Sequence, residues 1–509
     1  VFVLVVSAGK LAENTFTENV IDLRGDRFSC FHICVLHQLE TFPSYQGNCT
    51  EAEKLGSYLS PVLMAGTIIS DICHAYHVVR SHGVPKENII TMMYDDIAYN
   101  KKNPYPGKIY NVPGGKDVYA GVKIDYSGIY VTSENFLAVL SGNKTAVKGG
   151  SSKVVESTHY DHIFVYFTDH GGVGVVCFPD SMLTVKDLND VLKRMHKLKK
   201  FGRLVFYMEA CESGSMFAKV LPKNIDVYAV TAANSHESSW GCYCDNKMKL
   251  PCLGDCFSIN WIVNSEKLLE RFLISSLFFC LQEDLSRETL ASQFEIVKQK
   301  TNTSHVMHYG DLKIAQDYVA YYLGYKRAVI KNTDDDLMAV ESKESTSWPS
   351  REIYFRTLER QLNEAETQAE RRALQHKIQK LTMITFISFR NLKLEFQTYI
   401  ESTNANQRES LFQKRSYLET FMKSLIWTIV PHQSYSHFMH SSSPTINSLH
   451  CFDTVIKAFH QMCFHFGQNP YTLKYTYVFA NLCNAGIDSE TIIGAMFNTC
   501  KNIKIRGIL

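Results

Sequence analysis

The sequence predicts an α/β fold, a mostly parallel sheet with helices on both faces, followed by an all-α C-terminal part. Three observations carry that expectation. Ile163–Phe167 and Leu204–Met208 are short apolar runs rich in β-branched and aromatic residues, the composition of strands buried on both faces. Between them TVKDLNDVLKRMHKLKK places Val185, Leu188, Val191, Leu192, Met195 and Leu198 at helical spacing, with basic residues elsewhere. Strand, helix, strand implies a right-handed crossover that makes the two strands parallel neighbours. Further strand-like runs at Ile89–Tyr94 and Val227–Ala232 continue the alternation.

Taken in order, residues 1–60 do not read as a folded domain. VFVLVVSAG reads as the end of a cleaved secretory leader in preference to a buried strand. The RGD tripeptide at Arg24–Asp26 is too short a motif to carry a function. A globular domain begins near Pro61, with VLMAG (62–66) as a strand and Ile72–Val79 as a helix closed by Gly83 and Pro85. Asp95 and Asp96 suit a turn or helix cap better than a metal site, since no His or further acid follows closely. Residues 100–115 are a Pro/Gly/Asn-rich loop. The apolar core of Ser265–Gln282 falls short of the ~20 residues a membrane span needs. Asp311–Pro349 turns polar and reads as a linker. A long amphipathic helix over residues 352–381 follows, with Leu358, Leu362, Ala365 and Ala369 on one face. Cys451, Cys463, Cys483 and Cys500 lie in a further helical segment, where sequence alone allows three pairings.

The chemistry concentrates behind the two buried strands. His170 follows the first and Cys211 the second, and open α/β sheets carry their sites at the carboxyl edge of such strands. An imidazole that activates a thiol makes a cysteine nucleophile. Gly171 and Gly172 let the backbone approach a substrate and present N–H groups to an oxyanion. Ser213, Gly214 and Ser215 permit a sharp turn. A carboxylate beside a thiol raises its pKa, so Glu209 fits substrate recognition better than activation.

Composition excludes little but bounds the class. A net charge of +2 on 509 residues makes no case for nucleic acid or membrane surfaces. The charge is unevenly spread: 35 basic and 39 acidic residues before position 345, then 18 and 12, which suggests an electrostatic contact between the two parts. Fifteen cysteines leave at least one unpaired, consistent with Cys211 as a catalytic thiol. Cys242, Cys244, Cys252 and Cys256 lack a standard zinc spacing, so disulfides or free thiols are expected there, and no metal or other cofactor is implied. Sequons at Asn48, Asn143 and Asn302 agree with a secretory, oxidising route.

FTDHGG and EACESGS, with MMYDDIAYNKKNPYPGKIYN before them and AANSHESS and TNTSHVMHYG after, resemble the legumain family of asparaginyl endopeptidases. The resemblance covers roughly 61–330, with a weaker C-terminal match. It implies a caspase-like α/β/α sandwich, His170 as general base and acid, Cys211 as nucleophile, and Glu209 and Asp255 as acidic walls of a pocket for an Asn side chain. It also implies a helical autoinhibitory prodomain over 351–509, joined by an activation linker (311–350) to a catalytic domain (61–310). In that prodomain Cys451 would pair with Cys483 and Cys463 with Cys500, and activation cleavage would fall at Asp311 or Asn332. Peptide and protein substrates, cystatin-type inhibitors and a lysosomal or vacuolar destination follow from the same likeness. The catalytic subunit of the glycosylphosphatidylinositol transamidase shares the His and Cys arrangement but lacks the ESGS context and the C-terminal part. A non-catalytic, peptide-binding paralogue is the other alternative. The family carries an Asn and an Arg in the loop after its first strand, and neither occurs between Gly66 and His74, which predicts weak asparaginyl cleavage.

Overall fold

The computed structural model describes residues 2–8, 65–275, 288–324, 346–365, 367, 409–431, 435–439, 445–501 and 508. The RGD tripeptide, Asn48, Asn332, residues 62–64 and most of the helix expected to reach Leu381 lie outside the described residues. The elements below belong to one compact unit. In chain order they begin with β1 (Phe2–Ala8), α1 (Ala65–Ser81), β2 (Ile89–Met92), α2 (Ser133–Leu140) and β3 (His162–Thr168). A small sheet follows, β4 (Gly171–Gly172), β5 (Val175–Cys177) and β6 (Met182–Thr184), then α3 (Val185–Lys197), β7 (Arg203–Glu209) and β8 (Val227–Thr231). Next come β9 (Trp240–Cys244), β10 (Gly254–Asp255), α4 (Cys256–Ser275), α5 (Leu290–Lys300), β11 (Met307–Gly310), α6 (Ala320–Leu323), β12 (Thr346–Pro349) and α7 (Ile353–Glu364).

The central sheet has the order β11-β8-β7-β3-β1-β2. β3, β7 and β8 pair in parallel, and β2 runs the same way because β1 is antiparallel to both β2 and β3. The sheet is therefore mostly parallel, in line with a caspase-like fold. Strand alternation sorts its side chains into two layers. Ile163, Val165, Phe167, Leu204, Phe206 and Met208 share a core with α2 and α3, whereas Phe164, Tyr166, Val205 and Tyr207 join α1, α4 and α5. The crossover helix α3 is capped as its sequence suggests: the Thr184 hydroxyl accepts from the Asp187 N–H at 3.2 Å.

Three elements differ from the sequence reading. Phe2–Ala8, for which the sequence reading preferred the end of a leader over a strand, forms strand β1, inserted between β3 and β2. An apolar run of this kind fits a doubly buried strand as well as a leader core, so composition alone does not separate them. Ala65 and Gly66, read as strand, open helix α1, because Ile68, Ile69, Ile72, Cys73, Ala75, Tyr76 and Val79 bury one face at helical spacing. The helix expected over 352–381 ends at Glu364, where Ala365 adopts extended backbone.

The C-terminal part is helical, with Glu409–Ile429, Leu449–Met462, Thr476–Asn484 and Ser489–Cys500 as its main helices. Disulfides join Cys451 to Cys483 and Cys463 to Cys500. Phe452, Val455 and Phe459 share one continuous core with α3. The contact between the two parts is thus mainly apolar, trimmed by polar pairs such as Lys457 with Asp187 at 2.8 Å and Thr184 with Asp453 at 2.6 Å. A Cβ on Gly467 would collide with the Pro179 carbonyl, so the C-terminal part approaches the sheet domain backbone to backbone there. Among the described residues no helix is long and apolar enough to cross a membrane.

Candidate active site

The parallel register of β3 and β7 pairs Thr168 with Glu209, so two residues further on each strand lead to His170 and Cys211 at the same edge. Asp169 N–H donates to the Glu209 carbonyl at 3.1 Å, tying the two strand ends together. Gly171 is required by the close approach: a Cβ there would collide with the Cys211 carbonyl. Ser215 links the two loops from the other side, accepting from Gly174 N–H at 2.8 Å and donating to the Glu212 carbonyl at 2.6 Å. Glu212 itself sits at φ +50°, a left-handed conformation uncommon for a non-glycine residue, and its N–H donates to the Glu237 carbonyl at 2.8 Å. Such backbone strain gathers at functional turns.

Cys211 is buried, with its sulfur 3.7 Å from the Ser239 hydroxyl. Burial pushes the thiol pKa up; the Arg351 guanidinium pulls it down and Glu212 adds to the rise. Burial pushes His170 down, with Asp169 opposing and Arg351 reinforcing. In this closed form the pair therefore rests as thiol and neutral imidazole.

Arg351 was missed at the sequence level, because it directly follows a stretch read only as a polar linker. Its guanidinium donates to the Gly171 carbonyl at 2.6 Å, to Glu212 at 2.9 Å in a two-pronged ion pair, and to the Ser238 hydroxyl at 3.2 Å. The strand before it, β12, lies antiparallel on β9, and Ser350 N–H donates to the Ser239 carbonyl at 2.9 Å. The Ser239 hydroxyl meets that of Ser350 at 3.1 Å. Residues 346–350 thus run along β9, the middle strand of the β10-β9-β12 sheet, and meet Ser239, whose hydroxyl also touches the Cys211 sulfur. The one signal for this in sequence was an apolar-then-basic run, TSWPSR, closing an otherwise polar stretch.

Glu209 and Asp255 lie together in a buried acidic cluster that also holds Asp71, a residue sequence reasoning did not single out. Glu209 Oε2 accepts from the Ser258 N–H at 3.2 Å and its hydroxyl at 3.0 Å, while Oε1 has no donor in hydrogen-bonding reach among the described residues. Burial raises the Glu209 pKa well above the usual carboxylate range and the Asp255 charge adds to it. Asp71 is raised in the same way, first by burial and then by Asp255. The hairpin carrying Asp255 is stapled by Cys242–Cys256 and Cys244–Cys252, so these four cysteines are disulfides.

Other candidate residues stand apart. Asp311 is built into the fold: its N–H donates to the Val227 carbonyl at 2.8 Å and its side chain caps residues 312–316. Asn143 lies on a surface turn, with Thr145 donating to its side-chain oxygen at 2.9 Å. Asn302 is exposed, but the hydroxyl of its Ser304 is buried and donates to the Ala232 carbonyl at 2.7 Å. Among the described residues no group of three or more His, Cys, Asp or Glu side chains could hold a metal.

Two family models match the chain, Peptidase C13 over residues 69–325 and the legumain prodomain over 406–500. The chain is 40% identical to legumain from Rattus norvegicus over 432 residues, covering 85% of this chain and 88% of that one. It is 37% identical to the vacuolar-processing enzyme delta-isozyme of Arabidopsis thaliana over 453 residues, covering 85% and 86%. It is also 37% identical to hemoglobinase from Schistosoma japonicum over 432 residues, covering 85% and 88%.

Proposed function

The chain belongs to the Peptidase C13 family and is a cysteine endopeptidase, and from that premise we propose that it is a zymogen cutting after Asn, and after Asp in acid. The observation that carries this reading is the joint edge of β3 and β7, where His170 and Cys211 meet a buried acidic pocket walled by Glu209 and Asp255. In the proposed reaction the Cys211 sulfur attacks the scissile carbonyl and its proton passes to His170. The oxyanion draws on backbone N–H groups such as that of Gly171. Collapse breaks the peptide bond, His170 returns the proton to the leaving amine, and water, deprotonated by His170, releases the acyl group. The pocket supplies acceptors for a side-chain amide, and a proton held between its carboxyls admits an acid.

We assign residues 61–310 to the catalytic domain, 311–350 to the linker and 351–509 to the prodomain, which acts as a lid. Support comes from β12 on β9 and from Arg351 against Gly171 and Glu212. Removal of the lid starts with cleavage in the linker, first at Asn332, and at Asp311 only after its cap has opened. The four disulfides and the exposed Asn143 sequon fit a glycoprotein of the secretory route to lysosome or vacuole. Cystatin-type inhibitors remain the partner class expected for the uncovered cleft. The prodomain match leaves the transamidase reading without support. Labelling by an asparagine-based electrophilic probe after acid treatment, compared with Cys211→Ala, tests the proposal. Labelling dependent on Cys211 is expected; a folded chain that takes no label would be a binding protein instead.

A further inference from the structure

The pocket wall that bears Asp255 is not held by its own hairpin alone. Asp71, fully buried on α1, accepts the Asp255 backbone N–H at 3.0 Å with one carboxyl oxygen and the Asn111 amide at 2.6 Å with the other. Asn111 also donates to the Leu253 carbonyl at 3.2 Å, so it grips the same segment two residues earlier. With its nitrogen engaged in donation, Asn111 can only accept through its oxygen, and His74 Nδ1 supplies that proton at 2.6 Å. His74 Nε2 faces the Glu266 carboxylate at 2.7 Å, where it too must donate. Both ring nitrogens are therefore donors and His74 is an imidazolium, in keeping with a pKa shifted upward despite its burial, by the Glu266 carboxylate above all. The resulting chain runs from Glu266 on α4 through His74, Asn111 and Asp71 to the backbone of Asp255. Gly254 fits against it only because it lacks a side chain, since a Cβ there would collide with both Asn111 and Asp71.

We propose that Asp71 is the positioning residue of the specificity pocket, fixing Asp255 through its N–H and itself fixed by Asn111 and His74. This rests on the reading of that pocket as the seat of an Asn or Asp side chain. A fixed backbone N–H aims the Asp255 carboxyl, and misaiming it by an ångström weakens orientation of the substrate without touching the nucleophile. The relay spans α1, the loop at residue 111, β10 and α4, so it also makes the pocket wall one rigid piece with the helical layer behind it.

The test compares rates of Cys211 modification in the acid-activated full chain by an asparagine-based probe and by iodoacetamide, which uses no pocket. Asp71→Asn should slow the asparagine probe about 10-fold or more and leave iodoacetamide within about twofold. His74→Gln keeps an amide donor for Asn111 but loses the charge, and should slow the probe less than Asp71→Asn does. If Asp71→Asn does not fold, Asn111→Ser carries the same comparison, with the same direction expected. An unchanged ratio of the two rates, or an equal loss in both, overturns the positioning role. No asparagine labelling of the unaltered chain, with iodoacetamide still reacting, overturns the pocket reading itself, and the inference with it.

Discussion

Arg351, two residues past β12, and Glu212, the residue after Cys211, form a buried two-pronged ion pair beside the Cys211 thiol. Removing one partner of such a pair leaves an uncompensated buried charge, at a cost of about 3–5 kcal/mol. Arg351→Ala removes the cation that lowers the Cys211 pKa but also loosens the linker. The opened cleft should outweigh the weaker thiol, so that small thiol reagents label Cys211 in the full-length chain at least ~10-fold faster at neutral pH. Labelling rates for the two chains decide it. Equal rates would mean that the apolar prodomain contact alone keeps the cleft closed.

The acidic pocket sets a pH dependence whose sign follows from Glu209. Burial and the Asp255 charge raise its pKa, so the pocket keeps a proton in mild acid where a free carboxyl would have lost it. A protonated pocket donates to a substrate carboxylate, and that donor disappears as pH rises. Cleavage after Asp should thus gain on cleavage after Asn as pH falls, read as the ratio of kcat/KM for a matched peptide pair. A ratio independent of pH, or efficient cleavage after Lys, would contradict the pocket.

The prodomain holds an acid-sensitive group of its own. His460 is buried, accepts the Phe466 N–H at 3.2 Å, and lies 4.4 Å from the His465 ring at a tilt of 43°; burial and then His465 lower its pKa to about 4. A histidine lowered in the fold is neutral where the open chain would take a proton. Its contribution is complete above about pH 6.5 and is lost as pH falls toward the folded value, by at most about 3 kcal/mol. His460→Phe should move acid release of the prodomain to lower pH, followed by limited proteolysis of the Cys211→Ala chain. Release at an unchanged pH would assign the acid response to other groups.

The strands of the site were legible because a doubly buried parallel strand is nearly all apolar, and because His170 and Cys211 each follow such a run directly. Asp255 came only from the likeness to a family, since nothing local marks a Gly-Asp pair in a cysteine-rich hairpin as a pocket wall. Asp71 and Arg351 were not legible at all. Each acts through partners that are distant in sequence, Asp71 through Asp255 and Arg351 through Glu212, and such contacts have no period or spacing. β1 was hard to read for the opposite reason: its composition fitted two readings, and only the pairing with β3 shows it as a strand.

The last prediction concerns a donor that the pocket lacks. Three buried carboxyls, Asp71, Glu209 and Asp255, share the site, and Glu209 Oε1 has no donor among the described residues. Between Gly66 and His74 the chain runs TIISDIC, inside helix α1 and without the Asn and the Arg that the family likeness implies ahead of this position. An Asn there would orient His170, and an Arg would meet the amide oxygen of the substrate and offset the carboxyls. A misoriented histidine leaves only oxyanion and binding contributions to catalysis. The unaltered chain should therefore cleave Asn substrates slowly, and a loop bearing both residues, inserted ahead of α1, should raise kcat/KM by about 10-fold or more. The measurement is kcat/KM after acid activation, with Cys211→Ala as the blank. Full activity without the insertion would mean that the relay through Asp71 and His74 already balances the pocket charge, and that no guanidinium is needed.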